Sequence, residues 1–129
     1  TARPSRGFLL HGYAGPAEML ADFTALGAYY SFNIQLVEPK HAARLENFRH
    51  IPAHRLLVET DAPTKAPAGA SNRFPLPPAP DGSEVNHPAN ISVAYTTLAE
   101  LRSVSIDALA GQIEKNFQGL FSTPESSKT

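Results

Sequence analysis

Two carboxylates and one imidazole stand where short apolar runs end, and these side chains could bind a divalent metal ion or move protons. Glu59 and Asp61 close the stretch RLLVETDAP, after the apolar run Leu56 to Val58. His11 follows the run Phe8 to Leu10. Imidazole nitrogens and carboxylate oxygens are common ligands of divalent cations, and a carboxylate beside such an ion can accept a proton from water.

Each of these residues also has an ordinary structural interpretation. A histidine at a strand end is often held by hydrogen bonds in a purely structural role, and an aspartate just before a proline commonly forms a turn. Glu59 could be a buried carboxylate paired with an arginine. The residue types alone therefore leave both a metal site and a structural role open.

Short strands alternating with helices are predicted for the first half of the chain, in the pattern of parallel βαβ units. The predicted strands are GFLLHGY (Gly7 to Tyr13), AYYSFN (Ala28 to Asn33) and RLLVETDAP (Arg55 to Pro63). The carboxyl ends of parallel strands meet on one face of a sheet. His11 and Asp61 are therefore expected to share that rim.

Helical spacing of apolar residues predicts four helices between and after these strands. The first helix begins after Pro16, ends before Gly27 and contains Met19, Leu20, Phe23 and Leu26. The second runs from Pro39 to Phe48, with Val37, Leu45 and Phe48 on one side. The third contains Ile91, Ala94, Leu98 and Leu101, and the fourth, capped by Ser105, contains Ile106, Leu109, Ile113, Phe117 and Leu120. The residues from Ser122 onward are predicted to be a polar tail.

A proline-rich loop separates the third strand from the last two helices. It spans residues 62–89 and holds seven of the twelve prolines. A loop of this length in a compact domain is functional or disordered. Its segment FPLPPAP (Phe74 to Pro80) could be a polyproline ligand, although a rigid lid at the mouth of the site is the preferred interpretation.

Composition narrows the class of protein. A length of 129 residues with 42% hydrophobic content suits one domain with a core. The net charge of −1 gives no excess of positive charge that would indicate nucleic-acid binding. The chain has no cysteine, which excludes disulfides and thiolate chemistry. It shows neither a membrane span nor a signal peptide, so a cytoplasmic protein is expected.

Five segments resemble the TatD-type metal-dependent hydrolases, in the same order and over nearly the whole chain. HGYAG is similar to the family's HCFSG, GAYYSFN to its G-x-Y-x-S-F strand, RLLVETDAP to its LLLETD-(S/A)-P, NHPANI to its N-x-P-x-N-(I/L), and NFQGLF to its N-x-x-x-L-F ending. ETDAP is the most specific of the five.

This resemblance implies an α/β fold, a distorted TIM (β/α)₈ barrel with a divalent metal centre of Mg, Mn or Zn. By similarity His11 is a metal ligand on the sixth strand. Asp61 is a metal ligand on the eighth strand and a catalytic residue that helps to deprotonate the attacking water. Glu59 matches an acidic position that would orient a ligand or a neighbouring main chain.

The chain also departs from the family pattern. The metal site of the family needs an H-x-H pair on its first strand, an acidic residue on the fourth and a histidine on the fifth, and no H-x-H occurs here. His41, His50 and His54 are interpreted as solvated, and His87 as a loop anchor. Residues 1–129 are therefore expected to be the carboxyl-terminal portion of one barrel domain, strands six to eight. The partner would be the amino-terminal half, as a separate chain or segment.

The predicted function is metal-dependent hydrolysis, most specifically that of a TatD-type deoxyribonuclease or phosphodiesterase with DNA as a possible substrate. Arg55, Lys65 and Arg73 are interpreted as solvated surface residues rather than a DNA-binding set. Lactonase, amidase or deaminase chemistry would use a similar frame, and a non-catalytic remnant or scaffold is the alternative from another class. In isolation the chain is expected to bind metal weakly and to be inactive.

Overall fold

Three parallel strands form the sheet of this computed structural model, which describes residues 4–122. The strands are β1 (Phe8–Leu10), β2 (Ala28–Asn33) and β3 (Leu56–Glu59), with β2 in the centre. Tyr30 pairs with Leu10 on one side and with Leu56 on the other. The predicted parallel α/β arrangement is confirmed, and the three strands end at a common rim.

Four α-helices follow the strands within the described residues. They are α1 (Leu20–Ala25), α2 (Ala42–His50), α3 (Ile91–Arg102) and α4 (Ile106–Phe121). Single turns of 3₁₀-helix precede several of them, at Ala17–Met19, Pro39–His41 and Pro88–Asn90, and others lie at Ile34–Val37, Ala53–Arg55 and Gly69–Ser71. Gly27 ends the first helical segment with a φ of +99°, the left-handed conformation predicted for it. The Ser105 hydroxyl caps α4 by accepting a hydrogen bond from the Ala108 N–H at 3.1 Å, also as predicted.

Aromatic side chains fill the core between the sheet and the helices. Tyr30, Phe32 and Phe48 are fully buried, and the rings of Phe32 and Phe48 meet edge to face at 5.3 Å. Edge-to-face contacts place the positive edge of one ring on the negative face of the other. This packing fixes β2, whose six residues are all buried, and with it the rim where the strands end.

Arg102, at the end of α3, ties that helix to α2. Its Nη1 lies 2.9 Å from the Phe48 carbonyl oxygen and 2.6 Å from that of Ile51. Phe48 lies in the last turn of α2 and Ile51 directly follows the helix, where main-chain acceptors lack partners within the helix. Burial lowers the pKa of the Arg102 guanidinium from its usual value, because the charged form loses solvent. The two helices are thereby held behind the sheet as one unit.

The apolar stripe predicted for α4 is only half buried. Leu109 and Ile113 are in the core, but Ile106 is 47% exposed and Phe117 is 56% exposed. One side chain, Asn116, joins α4 to the sheet by donating to the main-chain carbonyls around the start of β3. The helix and its stripe are as predicted, but no described element covers Ile106 and Phe117, so that part of the stripe is exposed.

Most of the proline-rich loop is irregular, with one 3₁₀ turn at Gly69–Ser71. Val37, predicted to lie on one side of the second helix with Leu45 and Phe48, instead ends a separate 3₁₀ turn before α2 and is 37% exposed. Within residues 4–122 no helix combines the length and apolarity required to cross a bilayer. The predicted polar tail lies outside the described residues beyond Ser122.

Candidate metal centre

Asp61 lies in a turn directly beyond β3, with an unusual backbone conformation. Its φ is +60°, a left-handed value that aspartate and asparagine adopt more readily than most residues. The Asp61 carbonyl accepts from the Thr64 N–H at 2.9 Å and from the Thr64 hydroxyl at 2.8 Å. The Thr60 hydroxyl oxygen accepts from the Ala62 N–H at 3.1 Å. The turn is therefore held on both sides of the carboxylate, which is only 18% exposed.

His11 lies in the turn directly beyond β1. The next residue, Gly12, is anchored on both of its main-chain polar groups: its N–H donates to the Ser31 hydroxyl at 3.4 Å, and its carbonyl accepts from Arg44 Nη2 at 3.0 Å. Ser31 belongs to β2 and Arg44 to α2. Two neighbouring elements therefore position the main chain beside the imidazole.

Tyr13 fixes the chain one step further on. Burial raises the pKa of its phenol hydroxyl, and the neighbouring Tyr30 and Glu18 raise it further. That hydroxyl donates to the Pro16 carbonyl at 2.7 Å. The segment that carries His11 is thereby packed into the core rather than free to swing away from the rim.

The three side chains meet at the His11 ring. Nε2 lies 2.7 Å from Oε2 of Glu59 and 3.2 Å from Oδ1 of Asp61. One nitrogen and two carboxylate oxygens thus lie within 4.8 Å of one another. The two carboxylates are mostly shielded, at 16% and 18% exposure, whereas His11 is 59% exposed. The structure brings together all three residues singled out in the sequence.

Glu59 approaches the histidine rather than an arginine, so its interpretation as an arginine-paired carboxylate is wrong. Its predicted role in orienting a ligand stays a prediction. A carboxylate that only orients a metal-bound histidine normally contacts the second ring nitrogen. Here Glu59 and Asp61 approach the same atom, Nε2 of His11. Glu59 is therefore also placed to coordinate an ion directly.

This donor set fits a divalent cation. Imidazole nitrogen with two carboxylate oxygens is a ligand chemistry that Zn²⁺ accepts, and the oxygens also suit Mn²⁺ and Mg²⁺. Three protein ligands with a position left open is the usual composition of a catalytic zinc site, while an octahedral ion needs further ligands. The site could hold such an ion, with coordination positions to spare.

Two polar residues that sequence reasoning missed support Asp61. Asn33, the last residue of β2, donates from Nδ2 to Oδ2 of Asp61 at 3.1 Å. Lys65, interpreted as a solvated residue, places Nζ 3.4 Å from the same oxygen while remaining 61% exposed. Asn33 could have been found in the sequence, because it ends the strand between those that carry His11 and Asp61. No sequence pattern indicated the position of Lys65.

The loop after Asp61 is tied down by a buried asparagine. Asn86, 1% exposed, donates from Nδ2 to the carbonyls of Thr60 at 2.8 Å and Thr64 at 3.0 Å, and its N–H donates to the Pro63 carbonyl at 2.8 Å. Its own Oδ1 accepts from Asn90 at 3.1 Å. The main chain on both sides of Asp61 therefore takes its position from a residue some 25 positions downstream.

The rest of the proline-rich loop is anchored at the start of α3. Asn90 Oδ1 accepts from the main-chain N–H groups of Arg73 at 3.1 Å and Phe74 at 3.3 Å. His87 packs on the Phe74 ring at 5.6 Å and accepts from the Ala89 N–H at 2.9 Å, which confirms its predicted anchoring role. Residues 74–80 do not line the cavity beside the metal centre, contrary to the lid predicted for them.

Two other sequence-based assignments need correction. His41 was interpreted as solvated but lines the cavity next to the metal centre. Arg55 was interpreted as solvated but is half-buried, with its guanidinium 4.7 Å above the centre of the Tyr29 ring. The partner of Arg55 lies on β2, whereas His41 contacts Arg44, three residues further along the chain. His50 and His54 are exposed, as predicted, and Arg73 is exposed as well.

A cavity of about 360 Å³ opens beside these side chains. The acidic residues and His11 form one part of its wall, and two basic residues, Arg44 and Lys65, form another. A substrate in this space would contact the candidate metal ligands and the cations together.

Comparison with known proteins identifies the family of the chain and relatives that are described as hydrolases. Residues 1–122 match the family model described as TatD-related DNase. The metal-dependent hydrolase YcfH of Escherichia coli K12, described as uncharacterized, is 32% identical over 116 residues, which are 89% of this chain and 39% of that protein. The 3'-5' ssDNA/RNA exonuclease TatD of Enterobacter lignolyticus is 30% identical over 89% of this chain and 42% of its own length. The chain thus spans about two fifths of the curated relatives it matches.

Solved structures give the same fold. YjjV, a TatD homolog from Escherichia coli K12, superposes with a TM-score of 0.73 at 24% identity, over 92% of this chain and 42% of that one. An amidohydrolase from Saccharomyces cerevisiae, also described as uncharacterized, superposes with a TM-score of 0.66 at 21% identity, over 89% of this chain and 40% of its own. At these identities the likeness concerns the fold alone.

Proposed function

The chain belongs to the TatD-related DNase family, and from this premise we propose that it is part of a metal-dependent hydrolase that cleaves phosphodiester bonds in DNA. One observation carries the proposal: Nε2 of His11 lies within 3.2 Å of carboxylate oxygens from both Glu59 and Asp61. The name of the exonuclease relative supports nucleic acid as the substrate class.

His11 and Asp61 are the proposed metal ligands, and Glu59 is either a third ligand or the residue that orients His11. A divalent cation held there would lower the pKa of a water molecule and offset negative charge on a phosphoryl oxygen. The residues that keep the ligands in place are Asn33, which bonds Asp61, and Asn86, which holds the turn around it.

Asp61 is also the proposed acceptor of the proton from the attacking water. Its two carboxylate oxygens have different surroundings: Oδ2 accepts from Asn33 and faces Lys65, while Oδ1 faces His11. A general base must lie within hydrogen-bond reach of the proton that it takes. The shielded position and the two partners on Oδ2 restrict Asp61 to one orientation at the rim.

We also propose that a further segment, the amino-terminal half of the barrel, completes the domain around strands that serve as the sixth to eighth. A closed (β/α)₈ barrel has eight strands in about 250 residues, and the described residues supply three. Strands β1 and β3 each pair only with β2 among residues 4–122, so both outer edges have unpaired main-chain groups.

We expect the completing segment to pack against an apolar groove between the sheet and the last two helices. The groove has a volume of about 400 Å³, and Leu9 and Leu57 from the sheet and Phe117 and Phe121 from α4 contribute to its wall. Phe117 and Phe121 are 56% and 52% exposed. Covering such surface is favourable by roughly 25 cal/mol per Å² of apolar area.

The substrate class can be tested on the completed barrel with a panel of substrates. With added Mg²⁺, Mn²⁺ or Zn²⁺ we expect hydrolysis of single-stranded DNA and of a simple phosphodiester, and loss of that activity with a chelator. His11→Ala should reduce turnover by more than the roughly 10- to 100-fold caused by losing a group that merely supports a ligand. His50→Ala, an exposed histidine on α2, is the matched control.

Other outcomes of the same panel identify the alternatives. Turnover of a lactone or an amide, without any on phosphodiesters, would assign the chain to another amidohydrolase-type activity. A metal-loaded barrel that hydrolyses none of these substrates would indicate a non-catalytic scaffold instead.

A further inference from the structure

Arg44 carries a half-buried positive charge that has no carboxylate partner. Three other basic side chains, Lys40, Arg49 and Lys65, each lie within 3.4 Å of a carboxylate oxygen. No ion pair of the described residues includes Arg44. A cation withdrawn from solvent without a counter-charge is costly, so a bound anion would be stabilised there.

The guanidinium of Arg44 is nevertheless held in a defined position. Nη2 donates to the Gly12 carbonyl at 3.0 Å, and Nη1 lies 3.3 Å from Nδ1 of His41. Because a guanidinium has donors only, Nδ1 of His41 must be the acceptor in that contact. The Nε–H of Arg44 is buried and has no hydrogen-bond partner among residues 4–122. The guanidinium of Arg44 therefore has N–H donors that are not used within the described residues, while its contacts hold it in place.

We propose that Arg44 binds a phosphate group of the substrate beside the metal centre, an inference that rests on the function proposed above. Arg44, Lys65 and the three candidate metal ligands line the same cavity. Once a divalent cation offsets the charges of Glu59 and Asp61, the two basic side chains leave an excess of positive charge there.

The chemistry of the Arg44 guanidinium favours phosphate as its ligand. A guanidinium presents a planar fork of donors that matches two oxygens of a phosphate, whereas an ammonium acts as a single point of charge. Every nucleotide of a DNA strand carries one such phosphate. Arg44 therefore contributes substrate affinity and register along the strand, while His11 and Asp61 hold the reacting end of the site.

Inorganic phosphate is the probe that tests this site directly. Titrated into this chain with saturating Mg²⁺, which would offset the two carboxylate charges, it should shift the NMR signal of the Arg44 Nε–H, which is shielded from solvent and has no partner among the described residues. Arg44→Gln should weaken phosphate binding by about 10- to 100-fold, the effect of one charged hydrogen-bonded contact. Arg44→Lys should be intermediate, because it keeps the charge and loses the fork. Arg49→Gln, on the same helix outside the cavity, should bind phosphate as the parent does.

In the completed barrel, Arg44→Lys keeps a donor for the Gly12 carbonyl, so it should raise KM for single-stranded DNA by a larger factor than it lowers kcat, the pattern of lost uniform binding. Metal uptake, measured in parallel, separates a loss of phosphate binding from a displacement of His11. Should Arg44→Gln fail to fold, Arg44→Lys alone decides the question.

Unchanged phosphate affinity in folded Arg44→Gln or Arg44→Lys would overturn the proposed subsite, as would the absence of any phosphate binding by the parent. The subsite and the proposed function can fail separately. Phosphate binding that depends on Arg44, without phosphodiester turnover, would keep the subsite and reject the function. Phosphodiester turnover that does not change when Arg44 is replaced would keep the function and reject the subsite.

Discussion

Replacing Asp61 by asparagine is expected to lower kcat of the completed barrel by about 10²- to 10⁴-fold, the range that a positioned general base contributes. An amide has nearly the shape of the carboxylate but is neutral and cannot take a proton from water. The fold should survive, because asparagine shares with aspartate a tolerance of the left-handed conformation seen at this position, where φ is +60°. Steady-state kinetics and thermal unfolding of the same preparation measure both effects.

Asp22→Asn provides the matched control for this experiment. Asp22 is an exposed carboxylate in α1, on the wall of neither the cavity nor the groove. Its replacement makes the same chemical change and should leave kcat within about 2-fold, as is usual for a surface substitution. If Asp61→Asn retained a similar share of activity, Asp61 could be neither the base nor an essential ligand.

This chain alone is expected to bind divalent metal weakly and to show no measurable turnover. Adding the amino-terminal half should give tight metal binding and turnover. His11 and Asp61, the two proposed ligands, cannot fill a tetrahedral or octahedral shell by themselves, and each further protein ligand strengthens binding. We expect metal affinity to rise by more than about 100-fold on completion, exceeding what groups outside the ligand set contribute. Calorimetric titration of the chain, with and without the other half, measures the change.

A charge in the apolar groove tests how the two halves meet. Phe117→Asp should impair completion, because a carboxylate would be buried against apolar surface. Val104→Asp changes another exposed apolar residue, 45% accessible and outside the groove, and should have little effect. For the metal prediction, tight stoichiometric uptake by the chain alone would contradict the weak binding expected of it.

The order of elements and the rim could be predicted from the sequence because they depend on local patterns. The apolar runs before His11 and Asp61 gave the strand positions, and β2 was predicted from Ala28 to Asn33 as the structure has it. Parallel pairing then implied that the side chains at the strand ends converge. The contact of 3.2 Å between His11 and Asp61 fits that expectation.

The supporting residues could not be predicted in this way, because their partners are remote in sequence. Asn86 reaches the Thr60 carbonyl from 26 positions away, and Arg44 reaches the Gly12 carbonyl from 32. Such contacts depend on how helices and loops pack on the sheet, which no short pattern contains. The exposure of Phe117 had a different cause: the periodicity of α4 predicts an apolar face, and only the tertiary structure shows whether anything covers it.

An anomalous scattering map of the completed barrel, crystallised with Zn²⁺ or Mn²⁺, tests the central claim most directly. We predict a peak at bonding distance, about 2.0–2.2 Å, from both Nε2 of His11 and a carboxylate oxygen of Asp61. A peak bound elsewhere, with these two side chains uncoordinated, would contradict the metal centre and the hydrolytic function built on it.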